Sequence, residues 1–551
     1  MSQPTTRTGK HPKALYVLFL TEMWERFAYY LLAGLLFVYL LDGKGMPKDR
    51  VGDITGTFLA LIWLPLFIGG MIADRYLGYI KSIFIGGGLL ATGYLGLTIP
   101  GDTAMYISLG LIIAGNGFFK PNISTLLGNI YSKEELKPLK DNAYNIFYMG
   151  INTGALLCNF VAAYLRNKYG WGWAFGAAGV GMIIGLIVFG SNLKHIREGN
   201  YRKEPQKEDM SLGQICLYIF VPAIIGALIG YFGSKGALMG SPSSDAFVFA
   251  CIPIIAFFIS LWVRARKEDK RGIGALLFIF AASVIFWALF YQIFTGYALW
   301  TERHTDRTIS SRLVEKGASA MWLLQKVNTS PREVDSLDDH MVPVKDAKGN
   351  ILKTTGPDPY FVNLPKDKWP PQGQDVKLAN TELFASIGPF FIVLLTPLLL
   401  ALFSFLRKRG MEPTTPGKFG IALLLAGLSS GVMFFAVLSV PSIYQYKVSA
   451  AWLWGTYFMV ECAEICCSPM GLSLVSKLAP ARLTSLLMGG WFLTMSLGSK
   501  IAGVMSSSWD KFPDKKVYFI LWLCFGLAGS LLIFSRLRSL NRIVKEKTGE
   551  A

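Results

Sequence analysis

The stretch Thr21-Glu22-Met23-Trp24-Glu25-Arg26-Phe27-Ala28-Tyr29-Tyr30 decides the reading of this chain. It lies inside an apolar run from about residue 14 to 41, long enough to cross a bilayer at roughly 20 residues per span. Two carboxylates and a guanidinium are costly there. A charge at the bilayer centre costs about 2.5–3.5 kcal/mol on insertion scales, so intramembrane charges face a protein interior or a wet cavity and have partners. Glu22, Glu25 and Arg26 stand three and four positions apart and share one helical face, which Tyr29 and Tyr30 extend by a turn. Two readings follow: a proton and substrate site lining a pore, or a structural ion pair tying this helix to a neighbour. Three charges exceed what a single tie needs.

Working outward, hydrophobic residues make up 52% of the 551 positions and charged ones 16%. The apolar content comes in repeated runs of roughly 20 residues without period-2 alternation, which predicts an all-α polytopic membrane protein. The net charge of +18 does not point to nucleic acid, because the basic residues cluster between spans, at 194–207, 264–271, 407–418 and 536–547. That distribution follows the positive-inside rule and places both termini in the cytoplasm of an integral protein of the cell (inner) membrane. Seven cysteines all fall in apolar runs and read as core residues, and no metal or cofactor is expected. His11, His195, His304 and His340 are read as lying outside the spans.

About fourteen spans are expected: 14–41, 51–73, 79–100, 104–128, 143–165, 172–193, 212–233, 245–263, 272–300, 381–406, 419–440, 448–477, 483–506 and 517–537. Two groups of six with an inserted pair suggest a duplicated transporter bundle with its substrate at the midplane between halves. The expected organisation is an N-terminal six-helix bundle (1–193), a linker with two additional helices (194–271) and a C-terminal six-helix bundle (272–551). A polar extracytoplasmic insertion at 301–380 reads as a solvated segment with minor structure and a hairpin turn near Asp346–Asn350. The fourth span of each half carries a proline with a nearby charge, Lys120 before Pro121 and Glu464 before Pro469, of opposite sign. Facing halves would let Lys120 meet Glu464, although a lysine near the end of its run can also snorkel to the interface.

At this point the residues resemble a family. E-x-x-E-R-F-x-Y-Y is Glu22 to Tyr30, G-x-x-K-P is Gly117 to Pro121, and F-Y-x-x-I-N-x-G is Phe147 to Gly154. Phe286-Trp287-Ala288-Leu289-Phe290 precedes Gln292, and E-x-x-x-S-P-x-G-L-S runs from Glu464 to Ser473. With Met488-Gly489-Gly490-Trp491 and the loop Gly70-x-x-x-Asp74-Arg75, these motifs in register are similar to those of the proton-dependent oligopeptide transporters of the major facilitator superfamily. The resemblance implies a proton-coupled symporter importing di- and tripeptides by alternating access, with small peptides, protons and the lipid bilayer as partners, and no enzyme activity.

It also implies roles. Glu22, Glu25 and Arg26 look like the proton-coupling group, and Lys120 like the basic partner. Glu464 resembles the acid that binds the peptide amino terminus, with Ser468 beside it and Asn152 as a backbone hydrogen-bonder. Tyr30 and Trp491 resemble cavity-lining aromatics; Tyr29, Trp63, Tyr291, Gln292 and Glu461 complete the expected substrate set. Asp74 and Arg75, with Lys120 and Glu464, look like gating residues, though the Asp74–Arg75 turn also reads as a tight positive-inside loop.

The chain departs from the family pattern at four places. Ala33 stands where many members have a second arginine for the peptide carboxylate, and Tyr291 where many have an acid. Losing both together is coherent, since an acid left without its arginine would cost about 3–5 kcal/mol when buried. Trp63 replaces a tyrosine, and Gly388, before Pro389, replaces an asparagine. Glu461 is an added acid one turn before Glu464; it either favours a cationic ligand or serves as a surface acid or helix tie. The absent arginine keeps a second substrate open, another peptide-like or amine-containing solute.

Overall fold

The computed structural model describes residues 11–201, 211–347, 351–480 and 483–548. The protein is built of helices, and among the described residues ten are long and apolar enough to cross a membrane. The first runs Lys13–Val38 and continues through a wider turn to Gly43. The other four expected spans are also helical. The second is broken, Lys48–Leu61 then Leu66–Ile72, at a turn containing Trp63 and Pro65. The third and fourth are Tyr79–Gly96 and Asp102–Ile130, and the thirteenth is Thr484–Ser507. Pro121 and Pro469 sit inside continuous helices, where each removes one backbone donor.

The chain forms two compact units. One comprises Met1–Leu32, Leu61–Val161 and Gly172–Leu212. In it the Pro121 helix packs closely on the second and third spans. A Cβ on Gly117 would lie 2.7 Å from that of Pro65, and one on Gly70 3.5 Å from that of Pro121. At Gly117 glycine permits a backbone approach that any side chain would block, while Gly70 sits at ordinary contact distance.

The other unit comprises Ala33–Ala60, Ala162–Trp171 and Gly213–Ala551. Its inserted pair, ending in Val221–Ile229 and beginning again at Pro242–Arg264, is stapled by Asp245. That carboxylate is fully buried and accepts from the backbone N–H of Gly236, Leu238 and Met239. The pair is also tied inward: Ser243 and Ser244 both donate to Asp53, which pairs with Lys500 at 2.7 Å.

The insertion is more structured than a solvated segment. It contains a helix, Arg312–Ala320, and two antiparallel pairs, Leu324–Val327 with Val376–Ala379 and Arg332–Asp335 with Lys353–Gly356, and the first pair contributes Val327 and Leu378 to a small core with Tyr360 and Phe361. The hairpin turn expected at Asp346–Asn350 lies partly outside the described residues, but its flanks bridge at Lys345 and Ile351. Pairing of strands about twenty and about fifty residues apart leaves no short-range sequence signal, which is why the segment reads as loop. One further correction concerns His304. It is the last residue of the helix Gly296–His304, buried between Trp300 and Trp509, and belongs to the ninth span rather than to a loop.

Candidate functional site

In the first unit the motif on the first helix forms a buried ionic cluster. Glu22 and Glu25 have no exposed surface and Arg26 has 2%. Arg26 makes a two-pronged pair with Glu25, Nε to Oε2 at 2.5 Å and a terminal nitrogen to Oε1 at 2.6 Å. Its Nε also lies 3.6 Å from Glu22 Oε1. Lys120 donates to that same Glu22 oxygen. Two carboxylates and two cations thus neutralise one another in a largely buried site, as buried charges require. Glu22 Oε2 is buried with no hydrogen-bond partner among the described residues, so one acceptor in the cluster is free to take a proton.

The face that the sequence predicts is real: the Arg26 guanidinium lies 4.8 Å from the Tyr29 ring centre, and Tyr29 meets Tyr30 edge-on. One member was missed. Asn116 Oδ1 accepts from Arg26 at 3.4 Å while its Nδ2 donates to the Ile62 carbonyl at 2.9 Å. The signal was present, since Asn116 lies four residues before Lys120 and so on its face.

Asn152 is 5% exposed and donates to the Tyr148 carbonyl of its own helix. In the same motif, a Cβ on Gly154 would lie 2.9 Å from Phe27 N and closer still to the Met23 carbonyl. The motif glycine therefore lets the fifth span press on the ionic stretch of the first. Asp74 accepts from Tyr79 at 2.6 Å just before the turn at Gly78. Trp63 stands at the break in the second span, half-buried.

In the second unit Glu461 is buried one turn before Glu464, and Ser468 follows four residues after Glu464 on the same helix. Gln292 is fully buried and accepts from the Tyr518 hydroxyl at 2.8 Å. Tyr291 packs among Trp287, Phe290 and Phe294, an aromatic setting that would strand an acid. Ala33 lines a void of about 10 Å³ with Ile293, Phe294 and Tyr457. Trp491 is 2% exposed and contacts Phe280, Trp287 and Phe419.

Sequence reasoning also missed polar pairs at the end of this unit that carries the insertion. Arg166 reaches Glu382, Arg303 reaches Asp42 and Arg307 reaches Glu302, each at 2.7 Å. Beside them is a charged cavity of about 470 Å³, lined in part by Asp42, Lys48, Arg166, Glu302 and Arg303. The residues lie in or beside apolar runs, where an opposite charge in another run was the available clue.

The chain resembles known proteins along nearly its whole length. A family model described as the POT family matches residues 80–317 and 377–521. An uncharacterized transporter, YclF, of Bacillus subtilis (strain 168) is 30% identical over 534 residues, covering 95% of this chain and 93% of that protein. A di-/tripeptide transporter of Lactococcus lactis subsp. lactis (strain IL1403) is 28% identical over 509 residues, with 89% and 88% covered. The crystal structure of a mutant peptide transporter POT in complex with alafosfalin matches at 27% identity and a TM-score of 0.73, over 98% of this chain and 97% of that one.

Proposed function

The chain belongs to the POT family of transporters, and from that premise we propose that it is a proton-coupled symporter importing di- and tripeptides by alternating access. It is an integral membrane protein and a transporter rather than an enzyme. In this reading it sits in the inner membrane with both termini cytoplasmic. The observation that carries the proposal is the Glu22 carboxylate shared between Arg26 and Lys120, with its second oxygen unpartnered among the described residues. Such a cluster holds net zero charge with a vacant acceptor, so a proton arriving on Glu22 would release Lys120. A released ammonium is then free to meet a peptide carboxylate. Glu464 and Ser468 would receive the peptide ammonium. Only a ligand or proton that favours one state shifts the balance between states.

The test is uptake of a labelled dipeptide into proteoliposomes under an inward proton gradient. Wild type accumulates the dipeptide, and Glu464→Gln does not. Accumulation that ignores the gradient, or survives Glu464→Gln, would overturn the reading.

A further inference from the structure

Glu461 and Glu464 lie three residues apart on one helix, so their carboxyls share a face. Two neighbouring buried carboxyls can hydrogen-bond each other only when one carries a proton, since an ionised carboxylate has no donor. Glu461 is 2% exposed, and its Oε2 has no partner among the described residues. Within this unit no described cation forms an ion pair with either acid. A pure helix tie would use both oxygens of a buried carboxyl; here one is left vacant.

The space for the second acid comes from another position. A Cβ on Gly388 would lie 2.5 Å from Glu461 Oε1 and 3.3 Å from its Cδ. Any residue larger than glycine would therefore push the Glu461 carboxyl from its seat. Gly388 and Glu461 are two halves of one alteration: the first empties a volume and the second places an acid in it.

The neighbouring titratable groups are few. Tyr457, Cys462 and Cys467 lie on the same helix, and Tyr297 is near enough to Tyr457 to act on it electrostatically. Lys418, on an adjacent helix, is paired with Glu412 at 2.6 Å. The helix Ile387–Lys408 contributes only the bare Gly388 surface at this point.

We propose that Glu461 and Glu464 form a dyad sharing one proton, and that this dyad makes the amino-terminal subsite selective for peptides carrying a second positive charge on the first residue. The inference rests on the peptide reading above and specifies one of its sites. With the proton shared, the dyad bears one negative charge and matches a single ammonium. When a dication arrives, the shared proton leaves to water, the dyad bears two negative charges, and the second ammonium or guanidinium balances the added one. Like charges this close cannot both ionise unless something positive offsets them.

The experiment is counterflow at equal pH on both sides, with Ala-Ala and Lys-Ala as labelled peptides, so that no gradient drives either. In wild type the Lys-Ala to Ala-Ala ratio should rise at least about threefold from about pH 5.5 to about pH 7.5, as the shared proton becomes easier to release. Glu461→Gln should flatten that pH dependence and lower the ratio. Gly388→Ala, which keeps every charge but crowds Oε1, should lower it as well. A wild-type ratio that is flat in pH overturns the inference, as does a Glu461→Gln ratio that still climbs. Because the wild-type arm stands alone, a variant that fails to fold does not shield the idea. Exchange of both peptides with a flat ratio defeats the dyad only, whereas exchange of neither defeats the peptide reading and the dyad with it.

Discussion

Glu22→Gln is the perturbation that the buried cluster makes most informative. The change keeps the shape of the side chain and removes one negative charge from a group that is otherwise neutral. The Arg26 pair, at 3.6 Å, is an attraction of about 4.6 kcal/mol at an effective dielectric of about 20. Lys120 loses its carboxylate partner altogether, and its side chain is only 17% exposed. Removing one member of a buried pair typically costs about 3–5 kcal/mol. That cost falls on whichever step of the cycle holds Lys120 charged and buried. At about 1.4 kcal/mol per decade, it corresponds to a factor of at least about a hundred. Gradient-driven dipeptide accumulation in proteoliposomes should therefore drop at least about a hundredfold. Counterflow at equal pH, which moves no net proton, should fall by less. An E22Q protein that accumulates dipeptide as wild type does would refute the claim that this cluster carries the coupling.

Three further outcomes follow from other contacts. Gly154→Leu should force the fifth span away from Met23 and Phe27 and lower thermal stability by about 1–3 kcal/mol, read as an earlier unfolding transition in detergent; an unchanged transition would mean the close approach carries no energy. Asp53→Asn should leave Lys500, whose side chain is 3% exposed, without its counter-charge and cost about 3–5 kcal/mol, again visible in thermal unfolding, while a neutral result would show that the Asp53 tie to the inserted pair is dispensable. Glu412 lies in the loop after the tenth span, where hydrogen bonds from Arg407, then Lys418, hold its carboxyl down at about 2. A carboxyl depressed on folding adds stability that is present above its unfolded value near 4.5 and is lost as pH falls toward 2, so the stability gap between wild type and Glu412→Gln should close across that window.

Much of this was legible in the sequence because lipid imposes a strict rule. Charges in an apolar run must find partners, so Glu22, Glu25, Arg26 and Lys120 could be picked out and are brought together. The helices were legible from run length for the same reason, though the second, expected as one span over 51–73, is broken at Trp63 and Pro65. What escaped was pairing at a distance. Asn116 is uncharged and stands among glycines; its one local clue, a place four residues before Lys120, does not name Arg26 as its partner. Asp53 and Lys500 stand more than four hundred positions apart and show no shared motif. The fold of the 305–380 segment depends on strands joined across long loops, with Arg307 buried against Glu302 at its root. Gly388 was noted as a departure, but its link to Glu461 is spatial and needed coordinates.

The account turns on a proton moving with the peptide. The direct measurement is internal pH in proteoliposomes holding a pH dye, with membrane potential clamped and dipeptide added outside. Dipeptide should acidify the interior of wild-type vesicles, and should leave those holding Glu22→Gln protein near the baseline of empty vesicles. Labelled dipeptide entering wild-type vesicles with no change in internal pH would contradict the account.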